Sequence, residues 1–244
     1  MTTIVKNQPP STEVRERLKN EGRPVLVAMS LGKDAIATNL ALRAEGIETK
    51  LAYMYSIPGR DGQRTLDFIM NTAADLEKAF GQTIHMYPHP SLYRLLNALV
   101  FQPPERCAVI EAARFPTIKY AQLWDLIRED LGLPADTWVA DGVRAADSIV
   151  RRASLTRHGV MKPKHHKVSP IYDWQKHEVM GAIEDAGIAL PIDYKWFGRS
   201  FDGIDYRFLE PLSRYSPEDY QQILHWFPLA DLELFRKDPT PWQK

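Results

Sequence analysis

Apolar and polar residues alternate along this chain in blocks that read as strands followed by helices. Residues 25–29 (VLVAM) form an apolar run too short for a helix. The run breaks at Ser30-Leu31-Gly32-Lys33-Asp34. Residues 36–45 then resume with the composition of a helix, which Gly46 ends. Residues 49–55 are a second strand, running into the turn-rich segment SIPGRDGQ. Leu66, Ile69, Ala73, Leu76 and Phe80 recur at helical spacing and predict a helix over residues 65–80. Residues 83–87 are a third strand and 91–100 a short helix opened by a serine cap. Residues 102–116, interrupted by prolines, read as irregular. A helix over 117–131, a strand over 137–141, a short strand over 168–171 and a helix over 174–186 capped by Asp173 complete the pattern. Ahead of it, residues 1–10 read as a loose arm, and 13–20 as a polar helix capped by Ser11 or Thr12 and stopped at Gly22.

Strands alternating with helices over short connections imply right-handed βαβ units, hence an α/β fold with a parallel sheet covered on both faces. Ligands of such sheets bind beyond the carboxyl ends of the strands. The informative polar residues fall at those ends: 30–34, 56–63 and 141–144. No GxGxxG follows a strand, and the GxxxxGK[ST] spacing is absent, which disfavours a dinucleotide fingerprint and a Walker loop.

Composition narrows the class. Hydrophobic residues are 44% and charged residues 25% of the 244, as in ordinary globular proteins. Lys plus Arg and Asp plus Glu balance at 31 each, so any basic footprint must be local. Cys107 is the only cysteine, which excludes an internal disulfide and a multi-cysteine metal site within one chain. No apolar run approaches the roughly 18 residues of a membrane span, and residues 1–10 lack an apolar signal core. A cytoplasmic enzyme or binding protein, with no membrane partner, is expected.

The loop at 30–34 carries the candidate chemistry. A strand–loop–helix turn aims backbone N–H groups and a positive helix end at one point. Gly32 permits φ > 0 and close approach of an anion. Ser30 offers a hydroxyl donor and Lys33 a mobile charge. Asp34 suits Mg²⁺, which takes carboxylate together with phosphate oxygens. The plainer alternative is an ordinary turn with a solvated Lys-Asp pair. Arg144 leaves the fourth strand beside the same crevice. Arg151 and Arg152, further along, are either phosphate contacts or an exposed charged face.

SLGKDA resembles the SGGKDS pyrophosphate loop of N-type ATP pyrophosphatases, the PP-loop superfamily. Three later segments in the same order, DGVRAADSIVRRA, VSPIYDW and QKHEVMGAIEDAGI, resemble its phosphoadenosine phosphosulfate reductase and sulfate adenylyltransferase small-subunit branch. The resemblance covers about residues 25–194. The departures are Leu31 for the usual glycine, Ala35 for the final serine, Asp147 for the usual glutamate, and no counterpart of the reductases' C-terminal cysteine. The resemblance implies a Rossmann-like three-layer sandwich whose mostly parallel five-stranded sheet has the order 3-2-1-4-5. Residues 1–22 read as arm and helix and 191–244 as an aromatic-rich helical or irregular extension, with 23–190 between them as the nucleotide-binding domain that the resemblance implies. The resemblance also implies ATP and Mg²⁺ as cofactors. Ser30, Leu31, Gly32 and Lys33 would cradle phosphates, and Asp34 would hold the metal. Lys33, Asp34 and Arg144 would be catalytic, Arg144 at the α-phosphate. Gly142, Arg151 and Arg152 would complete the nucleotide site, with the adenine against Tyr53 and Tyr55.

The implied function is cleavage of the α–β bond of ATP, adenylation of an unidentified acceptor and release of pyrophosphate. The alternatives are a sulfonucleotide-binding reductase-like protein without its cysteine, and a non-catalytic nucleotide-binding module of a nucleic-acid-modifying or sensing complex. Residues 157–167 (RHGVMKPKHHK) concentrate positive charge. They read as a solvated loop or as an anion or nucleic-acid contact, and the resemblance implies a mobile loop there that closes over an anionic substrate. Cys107 reads as an inert thiol. The aromatic tail reads as a small subdomain or as a surface for a second subunit or protein partner, and a homo-oligomer is expected.

Overall fold

The structure is a computed structural model and describes residues 5–235. Residues 1–4 of the expected arm and 236–244 of the expected extension lie outside the described residues. In chain order the elements are α1 (Ser11–Glu21), β1 (Val25–Ala28), α2 (Lys33–Ala44), β2 (Thr49–Tyr55), α3 (Asp67–Phe80), β3 (Ile84–Pro88), α4 (Pro90–Asn97), α5 (Pro104–Ala113) and α6 (Tyr120–Asp130). Then follow β4 (Val139–Ala140), α7 (Ile149–His158), β5 (Met161–Lys162), β6 (Lys167–Val168), α8 (Lys176–Asp185), α9 (Ile192–Phe197), α10 (Tyr206–Tyr215), α11 (Pro217–Trp226) and α12 (Leu232–Phe235).

The sheet is α/β and mostly parallel, with strand order β3-β2-β1-β4-β6-β5. It has six strands rather than five. β5, too short to show any alternation in sequence, adds an antiparallel edge by pairing Met161 with Val168 and Lys162 with Lys167. β1 pairs in parallel with β2 on one side and with β4 on the other. Chain direction therefore diverges between β1 and β4, and two loops leave the carboxyl ends of adjacent strands there. β4 is shorter than its apolar run because the Thr137 N–H turns back to the Pro134 carbonyl.

The described residues form two compact units. The first takes in residues 5–53, 76–85 and 120–190. Its core is Leu26, Val27, Ile36, Leu42 and Leu51 with Ile127, Val139, Val168, Val179 and Ile183, all buried. Two helix starts are satisfied differently from expectation. α1 begins at Ser11 behind Pro10, and the Ser11 N–H is satisfied by Asp173 Oδ2 at 2.9 Å. Asp173 is thereby used far from α8. That helix closes its own start, Glu178 Oε2 accepting from the Gln175 N–H at 2.7 Å. The arm is not loose where it is described. Val5 is buried, Gln8 Oε1 accepts from the Val160 N–H, and the Pro9 carbonyl accepts from the Tyr172 hydroxyl. The segment expected as a mobile loop is the end of α7 and the β5–β6 hairpin.

The second unit takes in residues 54–75, 86–119 and 191–235. Residues 104–113 are helical, not irregular, because Pro104 sits in the first turn, where its missing N–H costs nothing. Asp219 caps α3, accepting from the Asp67 and Phe68 N–H groups at 2.6 and 3.1 Å. Phe68, Trp196, Phe197, Phe201 and Phe208 pack ring against ring at 5.2–6.1 Å between centroids. Cys107 is half-buried, and its Sγ donates to the Pro103 carbonyl one turn back.

Asp193 is 6% exposed, and its Oδ1 has no partner. Its Oδ2 accepts from the Phe201 N–H at 3.0 Å. Burial raises its carboxyl pKa, against the pull of the backbone N–H groups. A carboxyl that protonates more readily folded than unfolded adds stability below its ordinary value of about 3.9, and loses it as pH rises through its raised folded value. Asp193→Asn is therefore expected to flatten the fall in Tm between pH 4 and pH 7. A Tm–pH curve parallel to that of the wild type would remove Asp193 from this role.

Candidate nucleotide-binding site

The loop after β1 contains one unusual backbone step. Leu31 has φ 60°, in the left-handed region, whereas Gly32 has φ −83°. Gly32 thus does not supply the positive φ expected of it. That step falls one residue earlier, where the resembling loops have glycine. A non-glycine residue there costs about 1–2 kcal/mol. Burial of the Leu31 side chain, 4% exposed, offsets it. The turn leaves Lys33 and Asp34 as the first two residues of α2, where main-chain N–H groups have no intrahelical partner and favour an anion.

Asp34 is the junction of the site. Its Oδ2 accepts from Lys33 Nζ at 2.5 Å and its Oδ1 from Arg144 Nε at 2.7 Å. The other two guanidinium nitrogens of Arg144 are also engaged. Nη1 donates to the Trp174 carbonyl at 3.2 Å and Nη2 to Asp147 Oδ1 at 2.5 Å. Asp147 Oδ2 in turn accepts from Arg151. Lys33, Asp34, Arg144, Asp147 and Arg151 so form a chain of alternating charge with one cation in excess. Gly142 brings the two loops together. A Cβ there would stand 2.9 Å from the Asp34 carbonyl carbon and 3.0 Å from its oxygen. Asp141 Oδ1 accepts from the Ser169 hydroxyl at 2.7 Å and from the Val143 N–H at 3.2 Å, fixing the loop that carries Gly142 and Arg144.

Two assigned roles change. The side chain of Arg144 is only 4% exposed, so it holds Asp34 and Asp147 instead of facing an α-phosphate. Each oxygen of Asp34 already accepts from a cation, and Mg²⁺ placed on that carboxylate would sit against both positive groups. Among the described residues, no group of three or more His, Cys, Asp or Glu could hold a metal ion. A magnesium ion does not fit Asp34 in this arrangement, and the carboxylate serves to orient Lys33 and Arg144. The cations with open side chains are Lys33, 19% exposed, and Arg151, 50% exposed.

Ser30 is exposed on the same loop. Arg152 is exposed, and among the described residues it forms no ion pair; the array does not include it. Tyr53 is buried. Tyr55 is half-buried in the second unit, where burial raises its phenol pKa and Arg64 opposes the shift. Asp147 received no role from sequence. Its spacing, three residues after Arg144 and four before Arg151, was the available signal.

No family model matches the chain, and no curated protein matches it. Among solved structures, the chain is similar to U34-tRNA thiolase NcsA from Methanococcus maripaludis, solved with its 4Fe-4S cluster. Identity is 14% and the TM-score 0.41, over 90% of this chain and 78% of that one. It is also similar to NAD+ synthetase from Burkholderia pseudomallei at 16% identity and a TM-score of 0.38, over 93% of this chain and 84% of that one. Superpositions this loose assign no chemistry to the chain. No helix among the described residues is long and apolar enough to cross a membrane.

Gly142→Ala drives a Cβ into the Asp34 backbone and is expected to cost about 1–3 kcal/mol in denaturant unfolding. Wild-type stability would mean that the two loops are not in contact. Asp34→Ala leaves buried Arg144 with Asp147 as its one charged partner. Its expected cost is about 3 kcal/mol, the low end for a broken buried pair, and Asp34→Asn recovers only part of it, because an amide carries no charge and offers one acceptor where two cations donate.

Proposed function

We propose that the loop 30–34 binds the β- and γ-phosphates of ATP, and that the protein cleaves the α–β bond, transferring the adenylyl group to an acceptor and releasing pyrophosphate. The observation that carries this reading is the Lys33–Asp34–Arg144 array. Two loops from adjacent strands hold a lysine, through one carboxylate, at the start of a helix whose N–H groups point the same way. In nucleotidyl transfer the acceptor's nucleophile forms a bond to the α-phosphorus as the bond to the bridging oxygen breaks. Negative charge accumulates on the departing pyrophosphate. Preorganised donors at that position are the main contribution a protein can make. Lys33 Nζ and the first main-chain N–H groups of α2 supply them, and the Ser30 hydroxyl adds a neutral donor. Arg151 offers an exposed charge at the other end of the array. Arg144 and Asp34 are positioning residues that keep Lys33 from swinging into solvent. The resemblance of SLGKDA to pyrophosphate loops supports the same assignment, whereas the Cys107 thiol, bonded within α5, lends nothing to a reductase.

Lys33→Ala is expected to lower pyrophosphate release from ATP by about a hundred-fold or more while leaving the fold intact. The measurement is coupled pyrophosphate detection beside a calorimetric titration with ATP. ATP binding without release in the wild type would favour the non-catalytic module. Unchanged ATP affinity and release in Lys33→Ala would refute the site.

A further inference from the structure

Residues 148–172 contain no Asp or Glu. They carry Arg151, Arg152, Arg157, Lys162, Lys164 and Lys167, and three histidines, in a chain of zero formal net charge. Among the described residues only Arg151 of these six cations forms an ion pair. The β5–β6 register sets Lys162 directly opposite Lys167. Opposed residues of an antiparallel pair share a face, and like charges there are destabilising. Lys167 is half-buried. Burial lowers its pKa, Asp141 raises it, and the positive charges of Lys162 and Arg128 lower it further. Arg128, 3% exposed, spends Nε on the Thr137 carbonyl and Nη1 on Asp125, and its buried Nη2 has no partner. Lysine on an edge strand commonly blocks edge-to-edge pairing, which accounts for Lys162. It does not account for Lys167, whose strand lies inside the sheet between β4 and β5.

The track, free of acidic residues in sequence although Asp141 acts on Lys167 and Asp136 interacts with His166, has a direction. It begins at Ser148, beside the Asp147 that holds Arg144 and Arg151. It follows the ten residues of α7, about 15 Å, and ends on the hairpin. We propose that this track binds the phosphate backbone of a polynucleotide, and that a polynucleotide is the acceptor served by the nucleotide site. The second clause rests on the ATP reading above. Cations spread along a helix and a hairpin position a phosphodiester chain without reading its bases. Exposed Ile149 and Val150 make an anionic membrane the competing surface, but they stand only at the start of α7 and do not extend into a stripe.

The test is fluorescence anisotropy of the full chain with a short labelled single-stranded RNA, and with duplex DNA, across a KCl series. With five unpaired cations, the slope of log affinity against log salt on the single strand is expected to be about −3.5. The pair Lys162→Gln with Lys167→Gln is expected to shrink it by about 1.4, and so is the exposed pair Arg157→Gln with Lys164→Gln, which carries no risk to packing. Wild-type slopes in both variants overturn the track, as does binding to phosphatidylserine vesicles with none to either nucleic acid. ATP affinity should be unaltered in these variants. Binding of RNA or DNA by a wild type that does not bind ATP keeps the track and removes only the acceptor.

Discussion

The Asp34 carboxylate is the constraint on which the candidate site depends. It takes Lys33 Nζ on one oxygen and Arg144 Nε on the other, and so ties the start of α2 to the loop after β4. Arg144 is too buried to tolerate an unpaired charge, and its three nitrogens find Asp34, the Trp174 carbonyl and Asp147. The close approach at Gly142 makes that geometry possible, because a side chain there would collide with the Asp34 backbone. The array's exposed end is Arg151, and Lys33 remains partly exposed at the other. An anion arriving at the helix start meets a lysine already fixed in place.

The same economy appears elsewhere in the first unit, where carboxylates and carbonyls satisfy elements remote in sequence. Asp173 receives the first N–H of α1, and Arg15 of that helix donates to the Pro170 carbonyl at 2.8 Å and lies over the Trp174 ring at 5.6 Å. These bonds brace the segment that supplies the Trp174 carbonyl to Arg144. Asn39, Thr49 and Gln82 form a buried polar network that ties α2 to the start of β2. In the second unit Asp219 does comparable work at the start of α3.

The distribution of charge separates two tasks. At the carboxyl ends of β1 and β4 every buried charge is paired, which suits a site that must hold its donors still. Along α7 and the β5–β6 hairpin the cations beyond Arg151 form no ion pair among the described residues and two lysines face each other, which suits a surface whose counter-charge comes from outside. The chain's net neutrality hides this difference, because the acidic residues that balance the total lie in other segments.

The sequence by itself determined the alternation of strands and helices, the parallel sheet and the position of the loop 30–34, since these follow from apolar periodicity and from glycine and proline punctuation within a few residues. It also marked the residues that the array uses, apart from Asp147. Only the tertiary structure decided what those residues do. Arg144 reaches Asp34 across 110 residues of chain, and the strand order that makes them neighbours is invisible to local pattern. The left-handed step fell on Leu31 and not on Gly32, because a buried side chain can offset backbone strain that periodicity does not register. Helix caps went to distant carboxylates, and the edge strand β5 formed from two residues, because both are settled by which groups the fold brings together.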